Sequence, residues 1–226
     1  MVAGVSRFLL AVYQRLRKAY GPAGWWPGRT AFEVCIGAIL TQNTTWTNVE
    51  KAIRALRSRR LLSYRALRRF PPSRLAPLIR SSGTYRLKAR RVAAFVGFLG
   101  REYDGQVTGM AHEAPQSLRD KLLAVDGIGR ETADSIALYA AGLPLFVIDA
   151  YTRRIFSRLG LIEGGEPYDE VQRFFMDRLP RDSALFNDYH AQIVRLGKEA
   201  CRARPVCALC PLDELCPKRG VVTKGS

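Results

Sequence analysis

Apolar residues recur three and four positions apart through almost all of this 226-residue chain. Phe8, Leu9, Val12 and Leu16 form one such stripe, and no segment alternates apolar and polar residues for long enough to make a useful strand. This periodicity gives each helix one apolar face and leaves no segment suited to a sheet. The sequence therefore predicts an all-α protein.

Clusters of proline and glycine separate the periodic segments and mark the helix ends. The predicted helices span residues 5–19, 30–41, 45–56, 61–67, 73–79, 86–102, 115–125, 130–140, 150–158, 167–178 and 183–199. Hydrophobic residues make up 47% of the chain and charged residues 25%, which is the composition of an ordinary globular protein. A chain of this length suits one large domain or two small ones.

The sequence contains no segment that could cross a membrane. The longest apolar runs, Val34–Leu40 and Val92–Leu99, are far shorter than the roughly 18 residues that a bilayer-spanning helix needs. The first twenty residues distribute basic side chains through an apolar pattern and lack a cleavage site, unlike a signal peptide. We therefore expect a cytoplasmic monomer that does not contact membranes.

The charge balance indicates a polyanionic partner. Lysine and arginine together number 36 against 20 aspartates and glutamates, which gives a net charge of +16. Most of the basic residues are arginines. Each phosphate that such a chain neutralises releases counterions, so nucleic acid is the first predicted partner and an anionic membrane surface the second.

Four of the five cysteines lie close together near the end of the chain. Cys201, Cys207, Cys210 and Cys216 have the spacing C-x5-C-x2-C-x5-C, which suits four thiolates around one centre. Zinc and an iron-sulfur cluster both remain open on spacing alone. Iron-sulfur is favoured because a single C-x2-C lies between two wide loops. Cys35 lies in an apolar run and is expected to be a buried small hydrophobe.

A glycine turn joins two of the predicted helices at residues 122–140. Gly127 and Gly129 flank a tight turn, and Arg130 opens the following helix. Backbone N–H groups at such a turn point outward, where they could bind a phosphate. The alternative is a simple helix-to-helix connection without a ligand.

These features occur together in one order, and the chain resembles the endonuclease III branch of the helix-hairpin-helix DNA glycosylase superfamily. The resemblance is carried by F-E-x-x-I-x-x-I-L-x-Q-x-T at Phe32–Thr44, S-G-x-Y-x-x-K-A at Ser82–Ala89, the hairpin, V-I-D ending at Asp149, and the cysteine loop. It covers nearly the whole chain. It implies that the four cysteines hold a [4Fe-4S] cluster rather than zinc.

The resemblance also implies an architecture of two helical domains flanking a DNA-binding cleft. Residues 22–132 would form a six-helix barrel that ends in the hairpin. Residues 1–21 and 133–226 would form a discontinuous iron-sulfur cluster domain. The partner would be damaged double-stranded DNA, which places the protein at the nucleoid.

Asp149 and Glu131 are the candidate catalytic residues. Cleavage of an N-glycosidic bond passes through a cationic sugar, which a nearby carboxylate stabilises, and Asp149 matches the family's catalytic aspartate. It could equally be an ordinary helix N-cap. Glu131 occupies the position where strand-cleaving members carry the lysine that forms a Schiff base. A carboxylate cannot form that imine, so the resemblance predicts a monofunctional enzyme. Two interpretations of Glu131 remain open: it could face Asp149, or it could be a solvated first-turn carboxylate.

Base excision requires that the damaged nucleotide be flipped out of the duplex and the gap filled. Gln42 matches the family residue that enters the vacated stack, and Thr84 with Tyr85 occupies the position of the wedge for the opposite strand. Gly127, Gly129 and Arg130 would bind phosphates.

Aromatic residues near the predicted pocket could stack on the flipped base. They are Trp25, Trp26 and Trp46, with Pro27 beside them, although packing in a core is an equally good explanation. The Trp-Trp-Pro segment and the Glu131–Asp149 pair are similar to the bacterial 3-methyladenine DNA glycosylase subgroup. The substrate predicted first is an alkylated purine, and the second is an oxidised pyrimidine.

Two alternatives remain open at this stage. A bifunctional enzyme with AP-lyase activity would need an amine from elsewhere, and a catalytically weak DNA-binding homologue would keep the fold without the chemistry.

Overall fold

The structure is a computed structural model of the chain, and it describes residues 2–23 and 28–221. Eleven α-helices occur in these residues, together with short 3-10 turns and one π-helical segment, and no strand is present there. The α-helices are α1 (Val2–Tyr20), α2 (Ala31–Thr41), α3 (Trp46–Ser58), α4 (Tyr64–Leu67), α5 (Pro72–Leu78), α6 (Tyr85–Tyr103), α7 (Pro115–Leu123), α8 (Arg130–Ser135), α9 (Ala150–Arg158), α10 (Tyr168–Met176) and α11 (Ser183–Glu199). The predicted all-α class is confirmed.

Several helices begin at a residue that caps the helix or favours its first turn. Thr30 caps α2 by accepting a hydrogen bond from the Glu33 amide at 3.1 Å, and Pro72 and Pro115 occupy the first positions of α5 and α7. Three predicted helices differ from the structure by three or more residues at one end. Helix 5–19 begins earlier, at Val2. Helix 61–67 begins only at Tyr64, because Ser63 caps it, and helix 130–140 changes to π-helical geometry at Ile136–Ala140.

The chain divides into two compact units, Met1–Trp25 with Phe146–Ser226, and Trp26–Leu145. This division shows which residues pack densely together, but it does not show a six-helix barrel. The barrel domain of residues 22–132 therefore stays a prediction. None of the described helices combines the length and the hydropathy that a bilayer crossing requires.

In the first unit, α1 and α9 pack against α11 around a cluster of aromatic rings. Phe146 stacks on Phe175 at a centroid distance of 4.4 Å, and Phe186 and Tyr189 meet Phe146 edge-on. The Tyr189 hydroxyl donates to the Leu9 carbonyl at 2.8 Å, so its polar atom is satisfied inside the core. This cluster supports α9 and α11, which carry the groups described below.

In the second unit, α2 is the central helix. Its residues 32–40 are all buried, and it packs against α3, α6, α8 and the π-helical segment. A helix that is apolar on every side requires neighbours all round, which explains why α2 lies in the middle of the unit.

A buried lysine joins the end of α2 to the loop before α6. Lys88 is 1% exposed, and its amine donates to the Leu40 carbonyl at 2.8 Å and to the Ser82 carbonyl. Burial, together with the neighbouring charge of Arg91, lowers the pKa of Lys88 from 10.5 to about 8. A neutral amine still has two N–H groups for the two carbonyls.

We predict that Lys88→Met changes how stability depends on pH. Between pH 8 and pH 10.5 the unfolded chain keeps a proton that folded Lys88 has lost, so the free energy of unfolding of the wild type should rise across this range relative to the variant. The rise should be at most about 3 kcal/mol. Urea titrations from pH 7.5 to pH 10.5 measure it, with Lys51→Met, on an exposed side chain, as the control. Parallel curves for wild type and Lys88→Met would contradict the assignment.

Candidate functional site

Asp149 lies at the N-terminus of α9 with its carboxylate largely buried. Its side chain is 12% exposed, and Oδ1 accepts hydrogen bonds from the Thr152 amide at 2.7 Å and the Thr152 hydroxyl at 3.0 Å. The residue therefore is a helix N-cap, as its sequence position predicts. The positive end of the helix dipole also favours a negative charge at this point.

The second carboxylate oxygen of Asp149 faces a histidine on α11. His190 is 5% exposed, and its Nε2 lies 3.5 Å from Asp149 Oδ2. Burial raises the pKa of Asp149, but the charge and hydrogen bond of His190 and the bonds from Thr152 outweigh this effect, and the net pKa is lowered. Asp149 is therefore a carboxylate at neutral pH.

Sequence reasoning missed His190. The one indication in the sequence was that histidine is rare, since the chain contains only two histidines. Its position on an amphipathic helix gave no indication of which residue it would meet.

The extended segment before Asp149 is held by side chains of α10. The Tyr168 hydroxyl accepts a hydrogen bond from the Ile148 amide at 3.2 Å, and the Gln172 side chain donates to the Phe146 carbonyl at 2.9 Å. A backbone outside helix and sheet needs such partners when it is buried. These bonds position Asp149 from the side of the chain that precedes it.

Gln42 lies at the end of α2 and is bonded to the hairpin. Its amide nitrogen donates to the Gly127 carbonyl at 3.0 Å and the Thr132 hydroxyl at 2.9 Å, and its oxygen accepts from Arg91 at 2.5 Å. The structure thus brings together two segments that the sequence analysis selected separately. Arg91, the residue that completes this contact, was not predicted, because nothing distinguishes it among the many arginines.

The two helices of the hairpin are also joined by a buried ion pair. Arg119 on α7 donates to Asp134 on α8 at 2.8 Å, and their side chains are 8% and 0% exposed. The pair fixes α8 behind the turn, where Gly127 has a φ of 78° that favours glycine.

The other hairpin candidates lie on the surface. Gly129, Arg130 and Glu131 are all exposed at the start of α8. A side-chain carbon at Gly129 would meet nothing within 4 Å, so the space in front of this backbone is open. Glu131 and Asp149 belong to different compact units, and their pairing stays a prediction.

The predicted wedge forms the turn into α6. Thr84 is exposed and Tyr85 is half-buried, and Gly83 before them has a φ of 87°. Arg80 and Arg86 lie beside the Tyr85 ring at 6.0 and 5.9 Å from its centroid.

Of the predicted aromatic pocket, only Trp46 can be described. It is half-buried at the first position of α3. Trp25, Trp26 and Pro27 lie outside the described residues.

The cysteine loop follows α11 and is held by the C-terminal end of α9. Arg158 donates to the Cys201 sulfur at 3.2 Å and to the Arg202 carbonyl at 2.7 Å, and the Lys218 amide donates to the Cys216 sulfur at 3.4 Å. Within the described residues, no group of three or more cysteine, histidine, aspartate or glutamate side chains is arranged to hold a metal ion.

The chemistry of the four thiols nevertheless suits a cationic centre. All four are free and half-buried. Burial raises the pKa of Cys210 to about 11, and the three other cysteines contribute to the rise through charge repulsion. Four thiolates in one loop therefore need a compensating positive charge, which a bound metal centre provides.

Comparison with known proteins bears on these residues. The profile of the HhH-GPD superfamily base excision DNA repair protein matches residues 36–181. The chain is 44% identical over 207 residues to the Methanocaldococcus jannaschii protein MJ1434, an alignment that covers 91% of this chain and 94% of that protein.

Two solved structures are similar throughout. One is a non-covalent endonuclease III–DNA complex, 26% identical with a TM-score of 0.77, covering 94% of this chain and 95% of that one. The other is the Helicobacter pylori 3-methyladenine DNA glycosylase MagIII bound to 1,N6-ethenoadenine, 28% identical with a TM-score of 0.73, covering 86% and 97%.

We predict that Gly127→Ala destabilises the hairpin for two separable reasons. The left-handed backbone costs about 1–2 kcal/mol for a residue with a side chain. The new carbon would also overlap the Arg91 side chain, which adds about 1–3 kcal/mol.

A double-mutant cycle in denaturant titrations separates the two reasons, because Arg91→Ala should remove only the second. Gly129→Ala is the control, with a φ of −90° and open space, and should cost less than about 1 kcal/mol. Equal costs of Gly127→Ala with and without Arg91 would show that the two residues do not pack together.

Proposed function

The chain belongs to the HhH-GPD superfamily of base excision DNA repair proteins and is a DNA glycosylase of that family, and we propose that it releases a damaged base by hydrolysis without cutting the strand. The observation that carries the proposal is the buried carboxylate of Asp149, which accepts two hydrogen bonds from Thr152 and faces His190.

Asp149 would act on the sugar of the flipped nucleotide. As the N-glycosidic bond breaks, its electrons leave with the base and the sugar becomes cationic. A preorganised carboxylate lowers the energy of that cation, because it need not reorient during the reaction. Water then adds to the sugar carbon, and the proton that it loses passes to the released base or to solvent, which completes the hydrolysis.

Glu131 supports hydrolysis over lyase chemistry. It stands at the exposed start of α8, where strand-cleaving relatives are expected to place a lysine. A carboxylate cannot form an imine with the sugar, so water is left as the nucleophile.

The DNA-contacting roles are proposed on the geometry of the second unit. The Gly127–Gly129 turn and Arg130 would bind phosphates next to the damaged nucleotide. Gln42, which is hydrogen-bonded to the turn, would enter the vacated stack. Thr84 and Tyr85 would contact the opposite strand as its wedge. Trp46, together with Trp25, Trp26 and Pro27, would line the base pocket.

The substrate that we propose first is an alkylated purine, with an oxidised pyrimidine second. The likeness to a 3-methyladenine DNA glycosylase in complex with 1,N6-ethenoadenine supports this order. An electron-poor purine would also stack well on tryptophan.

We propose further that Cys201, Cys207, Cys210 and Cys216 hold a [4Fe-4S] cluster. Such a cluster would supply the positive charge that the thiolates need and would crosslink the loop after α11. N–H groups of Arg158 and Lys218 already point at two of the four sulfurs, which is a usual environment for cluster ligands.

Base release should depend on Asp149. Asp149→Asn keeps a capping side chain at the start of α9 but removes the charge, so we expect excision rates to fall at least about 100-fold while α9 stays capped. A panel of duplexes, each with one alkylated or oxidised base, measures the rates. Asp177→Asn, on an exposed carboxylate of the same unit, is the control. Full activity of Asp149→Asn on every substrate would refute the assignment.

Borohydride reduction distinguishes hydrolysis from lyase chemistry. We expect no covalent complex between the wild type and substrate DNA, because no amine stands at position 131. Glu131→Lys restores an amine there and should give a trapped complex, which shows that the assay can detect one. Trapping of the wild type at a level similar to Glu131→Lys would overturn the monofunctional assignment.

The cluster can be tested without activity. Purified protein should be brown and contain iron and sulfide in equal amounts, about four of each per chain. Cys207→Ser should lose the visible absorbance, whereas Cys35→Ala, which alters the fully buried cysteine of α2, should keep it. A colourless wild type that contains zinc would contradict the proposal.

A further inference from the structure

A groove of about 540 Å³ lies beside the predicted wedge, between α5 and the start of α6. Its walls are formed by Pro72, Ser73, Ala76, Pro77, Arg80, Tyr85, Arg86 and Arg90. The volume falls within the range of pockets that hold small organic ligands. Every one of these residues belongs to the same compact unit.

The groove combines two chemically different surfaces. Three of the lining residues are arginines, and none of the described residues that line it is acidic. Pro72, Ala76 and Pro77 contribute apolar surface, and Tyr85 contributes an aromatic ring. Arginines alone would suit phosphates, but a phosphate does not require apolar neighbours. A flat aromatic group that carries phosphates satisfies both surfaces.

We propose that this groove binds the nucleotide of the undamaged strand that lies opposite the lesion, after this nucleotide has turned out of the duplex. We call this binding site the seat. The base of the nucleotide would contact the apolar lining and Tyr85, and its phosphates would contact Arg80, Arg86 and Arg90. The inference rests on the proposed function, because it assumes that Thr84 and Tyr85 meet the undamaged strand.

The position of the groove favours a DNA strand over a free nucleotide or an acidic peptide. Tyr85 belongs both to the predicted wedge and to the wall of the groove, so a strand that reaches Thr84 would continue directly past the arginines. A base that has lost its partner to flipping also pays little further pairing energy to leave the stack.

A photocrosslinking experiment tests the seat. The duplex carries a stable abasic-site analogue in one strand and 5-iodouracil opposite it in the other. Irradiation of the full-length protein on this duplex should crosslink the iodouracil to a peptide that contains Tyr85. The same probe placed several base pairs away should not crosslink there.

Charge variants test the phosphate contacts. Arg80→Gln combined with Arg90→Gln should reduce the slope of log binding constant against log salt concentration by up to about two, because each lost phosphate contact removes about one. The control combines Arg59→Gln with Arg101→Gln. These two arginines are also exposed and lie in the same unit, but they do not line the groove.

A variant in which a bulky side chain fills the groove tests base binding separately from phosphate binding. Ser73→Trp on the exposed wall should abolish the crosslink while the salt slope stays close to that of the wild type. The proposal is overturned if no crosslink forms within residues 72–90, or if the groove and control arginines change the slope equally. A changed slope without a crosslink also overturns it, since the groove would then bind phosphates alone.

Base release, measured in parallel on a damaged duplex, keeps the two proposals distinguishable. If the protein releases no base but still crosslinks through Tyr85, the proposed hydrolysis fails and the seat stands. If it releases base without the crosslink, the seat is wrong and the hydrolysis stands.

Discussion

A carboxylate cannot be buried in a protein without partners that replace its water, and this constraint organises the unit that carries Asp149. Thr152 supplies two hydrogen bonds, the start of α9 supplies its dipole, and His190 faces the remaining oxygen. Each partner comes from a helix that the aromatic cluster around Phe146 supports. The packing of the core therefore determines the charge state of Asp149, because it positions the groups that stabilise the carboxylate.

In the other unit, long polar side chains supply hydrogen bonds to buried backbone groups. Its loops and the end of α2 carry backbone carbonyls that are buried beside apolar helices. Lys88 satisfies two of these carbonyls, and Gln42 satisfies the Gly127 carbonyl in the hairpin. Because the same residues connect the segments proposed to enter DNA, these segments are already in place before binding. Less ordering entropy then opposes the complex.

Arginine has at least two functions in this chain. Some arginines are structural, such as Arg119 in its buried pair with Asp134 and Arg158 at the cysteine loop. Others, including Arg86 and Arg90, are exposed and available for phosphates. The net charge of +16 alone cannot separate these groups, so it does not give the number of residues that contact DNA.

Several features could be predicted because they depend on residues close in sequence. The 3.6-residue periodicity predicted nearly every helix, and the acceptor side chain of Asp149 predicted where α9 begins. The π-helical geometry after Ser135 was not predicted, since its residues have the same apolar pattern as an ordinary helix.

The candidate site was predictable only in part, for the same reason. Motifs selected Gln42, Gly127 and Asp149, yet none indicated that Gln42 bonds to the hairpin 85 residues away or that Asp149 meets His190. By itself, then, the sequence determined the all-helical class, the helix ends and the residue types available for chemistry, because these follow from local periodicity and capping. Only the tertiary structure decided which polar groups pair, because burial obliges each to find a partner wherever the packing places one.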